Sequence, residues 1–222
     1  MRKLNTLPLV LMILFSMLAA LPIVFSVTDP SVELKVVVTY AMPPTDNSMT
    51  NRDYKLLRYH SYSTINYYVN AANSYGLSAS AVVNTITTST NTWDVQTKYQ
   101  VFSYKGTTSR MAGTYDGYNV ISWGSYSAGV IAVTMSWVSG RRVLEVDCLM
   151  NTYYGWSLSG EPGKMDVQNI MTHELGHFCG LADLYKNTDY WLTMYGYSDF
   201  HETYKQTLGL GDILGLRAFY GP

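Results

Sequence analysis

The segment DVQNIMTHELGHFCGLAD, residues 166–183, carries two histidines four positions apart inside a run with helical periodicity. Its apolar residues recur at steps of three and four, which predicts a helix with one buried stripe. This stripe consists of Val167, Ile170, Met171, Leu175 and Phe178. Asp166 precedes the stripe as an N-cap, and Gly180 follows it as a residue that tolerates positive φ. The chain must therefore fold so that this helix packs against a core.

The two histidines of this segment are His173 and His177, with Glu174 between them. Positions four apart lie on one face of a helix, so both imidazoles can reach one Zn²⁺ ion. Glu174 lies near that face and can act as base toward a water and as acid toward a leaving amine. A pair of surface histidines would leave Glu174 unexplained. The spacing therefore predicts a catalytic zinc site.

A third protein ligand is needed, because a catalytic zinc ion keeps three ligands and one open position. Gly180 can end the helix so that the chain turns back and presents Asp183 to the metal. His201, further along the chain, is the competing third ligand, and Asp183 could instead be a turn or capping residue. We expect Asp183 to be the ligand.

The remaining pattern predicts a mixed fold of strands and helices after an N-terminal segment. Alternation and turn signals predict strands over residues 63–69, 118–123, 129–137 and 143–151, with a hairpin turn at Ser139 and Gly140. Helical steps predict helices over residues 79–93 and 210–219. Neither an internal repeat nor a linker interrupts this part, so residues 54–222 are expected to form one domain.

The N-terminus has the pattern of an export signal. Arg2 and Lys3 precede an uncharged, nearly all apolar run over residues 7–25. This predicts a signal peptide over residues 1–26, or an uncleaved membrane anchor, because the run is about long enough to span a bilayer. Either alternative places the rest of the chain outside the cytoplasm, secreted or at the cell surface. Residues 27–53 are then an N-terminal extension or a short pro-segment.

Charge and cysteine content limit the partners of this chain. The net charge is −1 and charged residues make up only 14% of the sequence, so there is no basic patch to hold a phosphate backbone. We therefore expect no nucleic-acid partner, no membrane contact beyond an N-terminal anchor, and a monomer. Cys148 and Cys179 could pair in an exported protein or remain two small buried thiols.

The segment from His173 to Asp183 resembles the zinc motif of the metzincin peptidases, His-Glu-x-x-His-x-x-Gly-x-x-His/Asp. Gly180 stands at the glycine position of that motif. Asp183 stands where most metzincins have a histidine, and this is similar to matrixin-like proteins of archaea and bacteria. The likeness covers about residues 54–222.

Two further segments share the resemblance. Residues 193–197, TMYGY, resemble the Met-turn of these enzymes, with Met194 as the hydrophobic floor below the metal and Tyr195 and Tyr197 as residues that shape the site. Gly196 stands where some members carry a tyrosine that reaches the metal. Residues 208–221 are similar to the C-terminal helix of matrixins.

The resemblance implies an α+β fold: a metzincin-like catalytic domain with a twisted, mostly parallel sheet of about five strands, an antiparallel edge strand, a zinc helix and a C-terminal helix. It implies a metalloendopeptidase that acts on polypeptides, with one catalytic Zn²⁺ on His173, His177 and Asp183 and with Glu174 as general base. An exposed edge strand is expected over residues 129–136, where a substrate would add as an antiparallel strand. The primed-side wall is expected over residues 194–201, and its aromatic residues favour a hydrophobic substrate side chain.

Other functions stay open on the sequence alone. The chain could be a catalytically inactive secreted zinc-containing binding protein, since a tyrosine-rich surface also suits recognition. It could instead hydrolyse another bond, such as an ester or a small amide. Structural Ca²⁺ is also open, because Glu145 and Asp147 could contribute to a cation site or pair with neighbours.

Overall fold

The computed structural model describes residues 29–41 and 50–222. The predicted signal peptide, residues 1–26, lies outside the described residues. Within them the chain is α+β, with a mostly parallel sheet of seven strands, a separate two-stranded pairing and three helices. The expected fold class is confirmed at this level.

Most of the predicted elements form within a few residues of their expected bounds. The strands are β1 Glu33–Ala41, β2 Ile65–Val69, β3 Phe102–Thr107, β4 Asn119–Gly124, β5 Val130–Ser139, β6 Arg142–Asn151, β7 Trp156–Ser157, β8 Met165–Asp166 and β9 Tyr197–Ser198. The helices are α1 Ala79–Asp94, α2 Val167–Phe178 and α3 Leu210–Tyr220.

The large sheet has the strand order β3-β2-β4-β6-β5-β1-β9. Its β3-β2-β4-β6 half is parallel. Strand β5 runs antiparallel to β6, to which it is joined by the predicted turn, and β1 runs antiparallel to β5. Strand β9 then pairs parallel to the end of β1. The sheet thus has two more strands than the expected five, and both extra strands lie on the β5 side.

The expectation of an exposed edge over residues 129–136 is wrong. Strand β5 contains most of that range and pairs with β6 on one side and with β1 on the other. All of its residues from Val130 to Val138 are buried. The covering strand comes from the predicted N-terminal extension, far away in sequence. The hydrogen bonds between strands depend little on side-chain identity, so no local sequence pattern predicts this pairing.

Helix α2 runs through the middle of the molecule. All of its residues except Gln168 are buried, so it is covered on every side rather than along one stripe. Helix α1 packs against it, and Trp93 Nε1 donates a hydrogen bond of 2.8 Å to the Thr172 carbonyl of α2. A central buried helix is a rigid place on which to build a site.

Two smaller points complete the fold. Cys148 and Cys179 are buried free thiols and do not form a disulfide. Among the described residues, no helix combines the length and the apolar character that a membrane crossing would require.

Candidate metal centre and active site

Helix α2 begins and ends by local rules that the sequence shows. The Asp166 carboxylate accepts a hydrogen bond of 2.8 Å from the Asn169 backbone N–H, as an N-cap does. At the other end, the N–H groups of Gly180 and Leu181 donate to the carbonyls of His177 and Gly176, each at 2.9 Å. This is a Schellman ending, and Gly180 adopts the positive φ of 91° that it requires. The helix therefore ends at Phe178, one residue after its second histidine.

The chain then folds back on itself and places Asp183 beside the helix. The Leu184 N–H donates to the Met194 carbonyl, and the Gly196 N–H donates to the Leu184 carbonyl, both at 2.9 Å. These two bonds close the intervening loop immediately next to Asp183. The Ala182 N–H donates to the Lys55 carbonyl at 2.8 Å, so the backbone is held on both sides of Asp183.

Three ligand atoms converge at this point. The Asp183 Oδ1 atom lies 3.2 Å from His173 Nε2 and 3.5 Å from His177 Nε2. The candidate ligand atoms of the three residues lie within 4.8 Å of one another, and all three residues are buried. None of these three atoms has a hydrogen-bond partner among the described residues. Unpaired polar atoms in a dry interior are costly, so this group fits a buried cation.

The outer nitrogen of each imidazole is held by a carbonyl. His173 Nδ1 lies 2.6 Å from the Thr193 oxygen, and His177 Nδ1 lies 2.8 Å from the Leu181 oxygen. A carbonyl only accepts, so each Nδ1 carries the proton and donates it. In the neutral imidazole, each Nε2 atom then presents its lone pair to the cluster. Such outer hydrogen bonds are the usual means by which proteins orient metal-ligating histidines.

The carboxylate remains charged inside this buried group. Burial alone would raise the pKa of Asp183, but the adjacent His177 and His173 outweigh it and hold that pKa below its ordinary value. Burial lowers the pKa of His177, whereas the Asp183 charge raises it, with a net pKa of about 9. The cluster thus carries a formal negative charge once both imidazoles are neutral, which favours a divalent cation.

Glu174 lies on the same helix and is completely buried. Both of its carboxylate oxygens accept hydrogen bonds from threonine hydroxyls. Thr134 Oγ1 of β5 donates to Oε2 at 2.6 Å, and Thr39 Oγ1 of β1 donates to Oε1 at 2.8 Å. Neither threonine was singled out in the sequence. Their pairing with Glu174 spans 40 and 135 residues, and no local signal could have identified it.

Met194 lies directly below the helix, as the resemblance implied. It is 1% exposed, and a Cβ atom added at Gly176 would come within 2.2 Å of its sulfur. The turn around it is held by the Asp212 carboxylate, which accepts from the backbone N–H groups of Thr193 at 2.8 Å and Met194 at 3.0 Å. Asp212 lies in the first turn of α3 and so fixes the turn whose carbonyl, that of Thr193, orients His173.

The competing ligand His201 does not join the cluster. It is exposed, has a positive φ of 66°, and directs Nδ1 toward the Gly160 carbonyl. Tyr185, which was not singled out in the sequence, instead contacts the cluster: its hydroxyl donates to Asp183 Oδ2 at 3.1 Å. That bond leaves Oδ1 free for a cation.

The wall predicted over residues 194–201 borders the centre through aromatic side chains. The Tyr197 ring lies 5.4 Å from the Tyr185 ring and 5.5 Å from the Tyr195 ring, measured between centroids. Behind it, the buried Lys205 ammonium donates to the Tyr197 carbonyl and to Glu202 Oε1. Phe200, at the far end of the wall, is 43% exposed. Tyr197 thus contacts Tyr185, the residue whose hydroxyl donates to Asp183, and Tyr195 contacts Tyr197.

Glu145 and Asp147 lie away from this centre and accept hydrogen bonds from backbone. Asp147 accepts from the N–H groups of Gly113 and Val120, both at 2.7 Å, and Glu145 accepts from the N–H group of Asp116. Their contacts tie down the loop that precedes β4.

The candidate site therefore consists of a preorganised set of His173, His177 and Asp183 with Glu174 on the same helix. Comparison with known proteins adds no further assignment: the chain matches no protein-family model, and no curated protein is significantly similar to it in sequence.

Proposed function

We propose that this protein is a secreted zinc-dependent endopeptidase in which His173, His177 and Asp183 hold one catalytic zinc ion. The convergence of three unpartnered ligand atoms within 4.8 Å, on and beside the helix that carries Glu174, is the observation that carries the proposal. The metzincin-like motif and the export signal expected in the sequence support the same reading.

The donor set suits zinc. Two neutral imidazoles and one carboxylate form a set of three protein ligands that is common in catalytic zinc sites, in which a fourth position is kept for water. When bound there, zinc supplies a Lewis acid that polarises a carbonyl and lowers the pKa of a water. Thr193 and Leu181 contribute the carbonyls that keep both imidazoles in the ligating tautomer. Tyr185 keeps one carboxylate oxygen of Asp183 turned toward the cluster.

Glu174 moves the proton in this reaction. As a carboxylate it takes a proton from the attacking water, and it then delivers that proton to the nitrogen of the leaving amine. Thr134 holds Oε2 of Glu174 in place through a hydrogen bond from a central strand, so the carboxylate is oriented before substrate binds. Charge-assisted bonds of this kind are stronger than neutral ones.

The test combines metal analysis with turnover of an internally quenched peptide. Full-length protein is expected to contain one zinc per chain, and removal of zinc by a chelator is expected to stop hydrolysis. Glu174→Gln is expected to keep its zinc while kcat falls by about 100-fold or more, since general acid–base catalysis contributes about that much.

The matched control is Glu161→Gln, which changes a surface carboxylate paired with Lys164 and should leave turnover unchanged. Unaltered kcat in Glu174→Gln would contradict the mechanism. If the zinc-loaded protein hydrolyses no peptide, the result would favour the alternative function, that of a catalytically inactive binding protein.

A further inference from the structure

Strands β5 and β9 border a groove that passes in front of Glu174. We call the space between them the peptide groove, and residues 33–41 fill it. Strand β1 pairs antiparallel with β5 along its length, from Glu33 opposite Val138 to Tyr40 opposite Val130. It also pairs parallel with β9 at Tyr40 and Ala41. Without β1, both neighbours would present an unpaired backbone edge, which is a template for an added strand.

The occupant of the groove touches the proposed general base. Thr39 is fully buried, and its hydroxyl donates to Glu174 Oε1 at 2.8 Å. Thr134 donates to the other oxygen at 2.6 Å. The Thr39 hydroxyl thus takes one acceptor position of the proposed base, and we expect an entering peptide to replace this contact.

Strand β1 is attached like a bound peptide rather than like a core strand. Of its side chains that the structure describes, only that of Thr39 is buried. Val36 and Tyr40 are 45% and 41% exposed, whereas the neighbouring β5 is buried from Val130 to Val138. Leu34 and Val38 are packed only partly against a small apolar cluster. The backbone ladder therefore supplies most of what holds β1, as in strand-addition complexes.

We propose that residues 33–41 are an intramolecular occupant of the peptide groove and that the protein takes up an extended external polypeptide only when this strand withdraws. This inference rests on the proposed function, because that function is what makes the external ligand a polypeptide. A segment of the same chain acts at an effective concentration of the order of millimolar, so external peptides compete poorly while it is in place. The intact chain is thus held in a state of low activity.

The test weakens the strand on its β9 side. The Tyr40 N–H donates to the Gly196 carbonyl of the wall at 3.2 Å. Tyr40→Pro removes this donor, and Tyr40→Ala is the matched control because it loses the same ring but keeps the N–H. Loss of one such bond shifts an occupancy equilibrium by about fivefold or more.

The main readout does not depend on turnover. A fluorescein-labelled synthetic peptide with the sequence of residues 31–41 is titrated into each variant in a Glu174→Gln background, so that it is not cut, and anisotropy is recorded. The Tyr40→Pro protein is expected to bind this peptide at least about fivefold more tightly than the Tyr40→Ala protein or the protein with the unmodified strand. Equal binding by Tyr40→Pro and Tyr40→Ala, with equal zinc content, would overturn the proposal.

A second variant tests the proposal if Tyr40→Pro misfolds. A recognition sequence for a specific protease replaces residues 42–49 in the full chain, and cleavage then turns the occupant into a separate, exchangeable peptide. The labelled peptide should enter the nicked protein and remain excluded from the intact one. Failure of the nicked protein to exchange its strand would show that β1 is a permanent part of the fold.

Turnover, measured with Glu174 restored, separates this proposal from the proposed function. Faster hydrolysis in the Tyr40→Pro or nicked form supports both. Peptide binding without hydrolysis in any form supports the occupied groove and refutes the peptidase. Full hydrolysis by the intact chain, undiminished relative to the nicked form, refutes the occupied groove and leaves the peptidase standing.

Discussion

Replacing Asp183 with alanine removes the only carboxylate from the candidate metal centre. Asp183 is 6% exposed and approaches both histidine Nε2 atoms within 3.5 Å, so no solvent or neighbouring carboxylate can take its position without rearrangement. Zinc-binding free energies of about 10–16 kcal/mol in four-ligand sites correspond to about 3 kcal/mol per ligand. We therefore expect Asp183→Ala to weaken zinc affinity by about 100-fold.

That loss can be read as a change in thermal stability. At a free zinc concentration of about 100 times the wild-type Kd, zinc stabilises the folded protein by about 2.7 kcal/mol, and the variant gains only about 0.4 kcal/mol. For a chain of this size the wild-type Tm should rise by about 5–10 °C on zinc addition, against about 1 °C for Asp183→Ala. Competition with a chromophoric chelator gives the two Kd values directly.

The matched control for this comparison is His201→Ala. His201 was the competing third ligand in the sequence and lies exposed outside the cluster, so its zinc-induced shift should equal that of the wild type. Wild-type zinc affinity in Asp183→Ala would refute the ligand assignment. Loss of affinity in His201→Ala would show that the loop after α2 adopts a different path.

Two further predictions concern the support of the site. Asp212→Asn should lower the free energy of unfolding by at least about 2 kcal/mol. The carboxylate accepts from the N–H groups of Thr193, Met194 and Gly209, and an amide cannot satisfy all three. Chemical denaturation measures this loss, and an unchanged midpoint would argue against the role given to Asp212. Gly176→Ala should cost about 1–3 kcal/mol by overpacking, since its Cβ would lie 2.2 Å from the Met194 sulfur and 2.9 Å from Trp93. The double variant Gly176→Ala with Met194→Ala should lose less stability than the sum of the two single losses, because the overpacking is relieved. Strictly additive losses would show that the two residues do not touch.

The helix that carries the site was predictable because local rules specify it. The Asp166 cap and the Gly180 ending each act within a few residues, and the structure has both in their expected roles, whereas the helix is buried on every side and not along the apolar stripe alone. The four-residue spacing of His173 and His177 follows from helix geometry alone. For the same reason the hairpin between β5 and β6 could be placed from its turn at Ser139 and Gly140.

One prediction depended on the resemblance rather than on local physics. Met194 was expected beneath the centre, and the structure places it against Gly176 of the helix. Asp183 was expected from the glycine ending of the helix as well as from the resemblance, and it lies within the cluster. The identity of the metal and the activity stay predictions that the experiments above test, and the export of the chain stays a prediction.

What only the tertiary structure decided is what surrounds these groups. The threonines on Glu174, the Tyr185 hydroxyl on Asp183 and the pairing of β1 with β5 have no sequence motif, although residues 32–40 have the pattern of a strand. The expected free edge at β5 was wrong because a strand from the N-terminal extension covers it. Helix caps and histidine spacing depend on residues within one or two helical turns of each other. Strand pairing is made by backbone hydrogen bonds, which depend little on the side chains, so distant pairings leave no local pattern. Sequence therefore specified the candidate ligands and Glu174, and the fold decided which distant residues contact them.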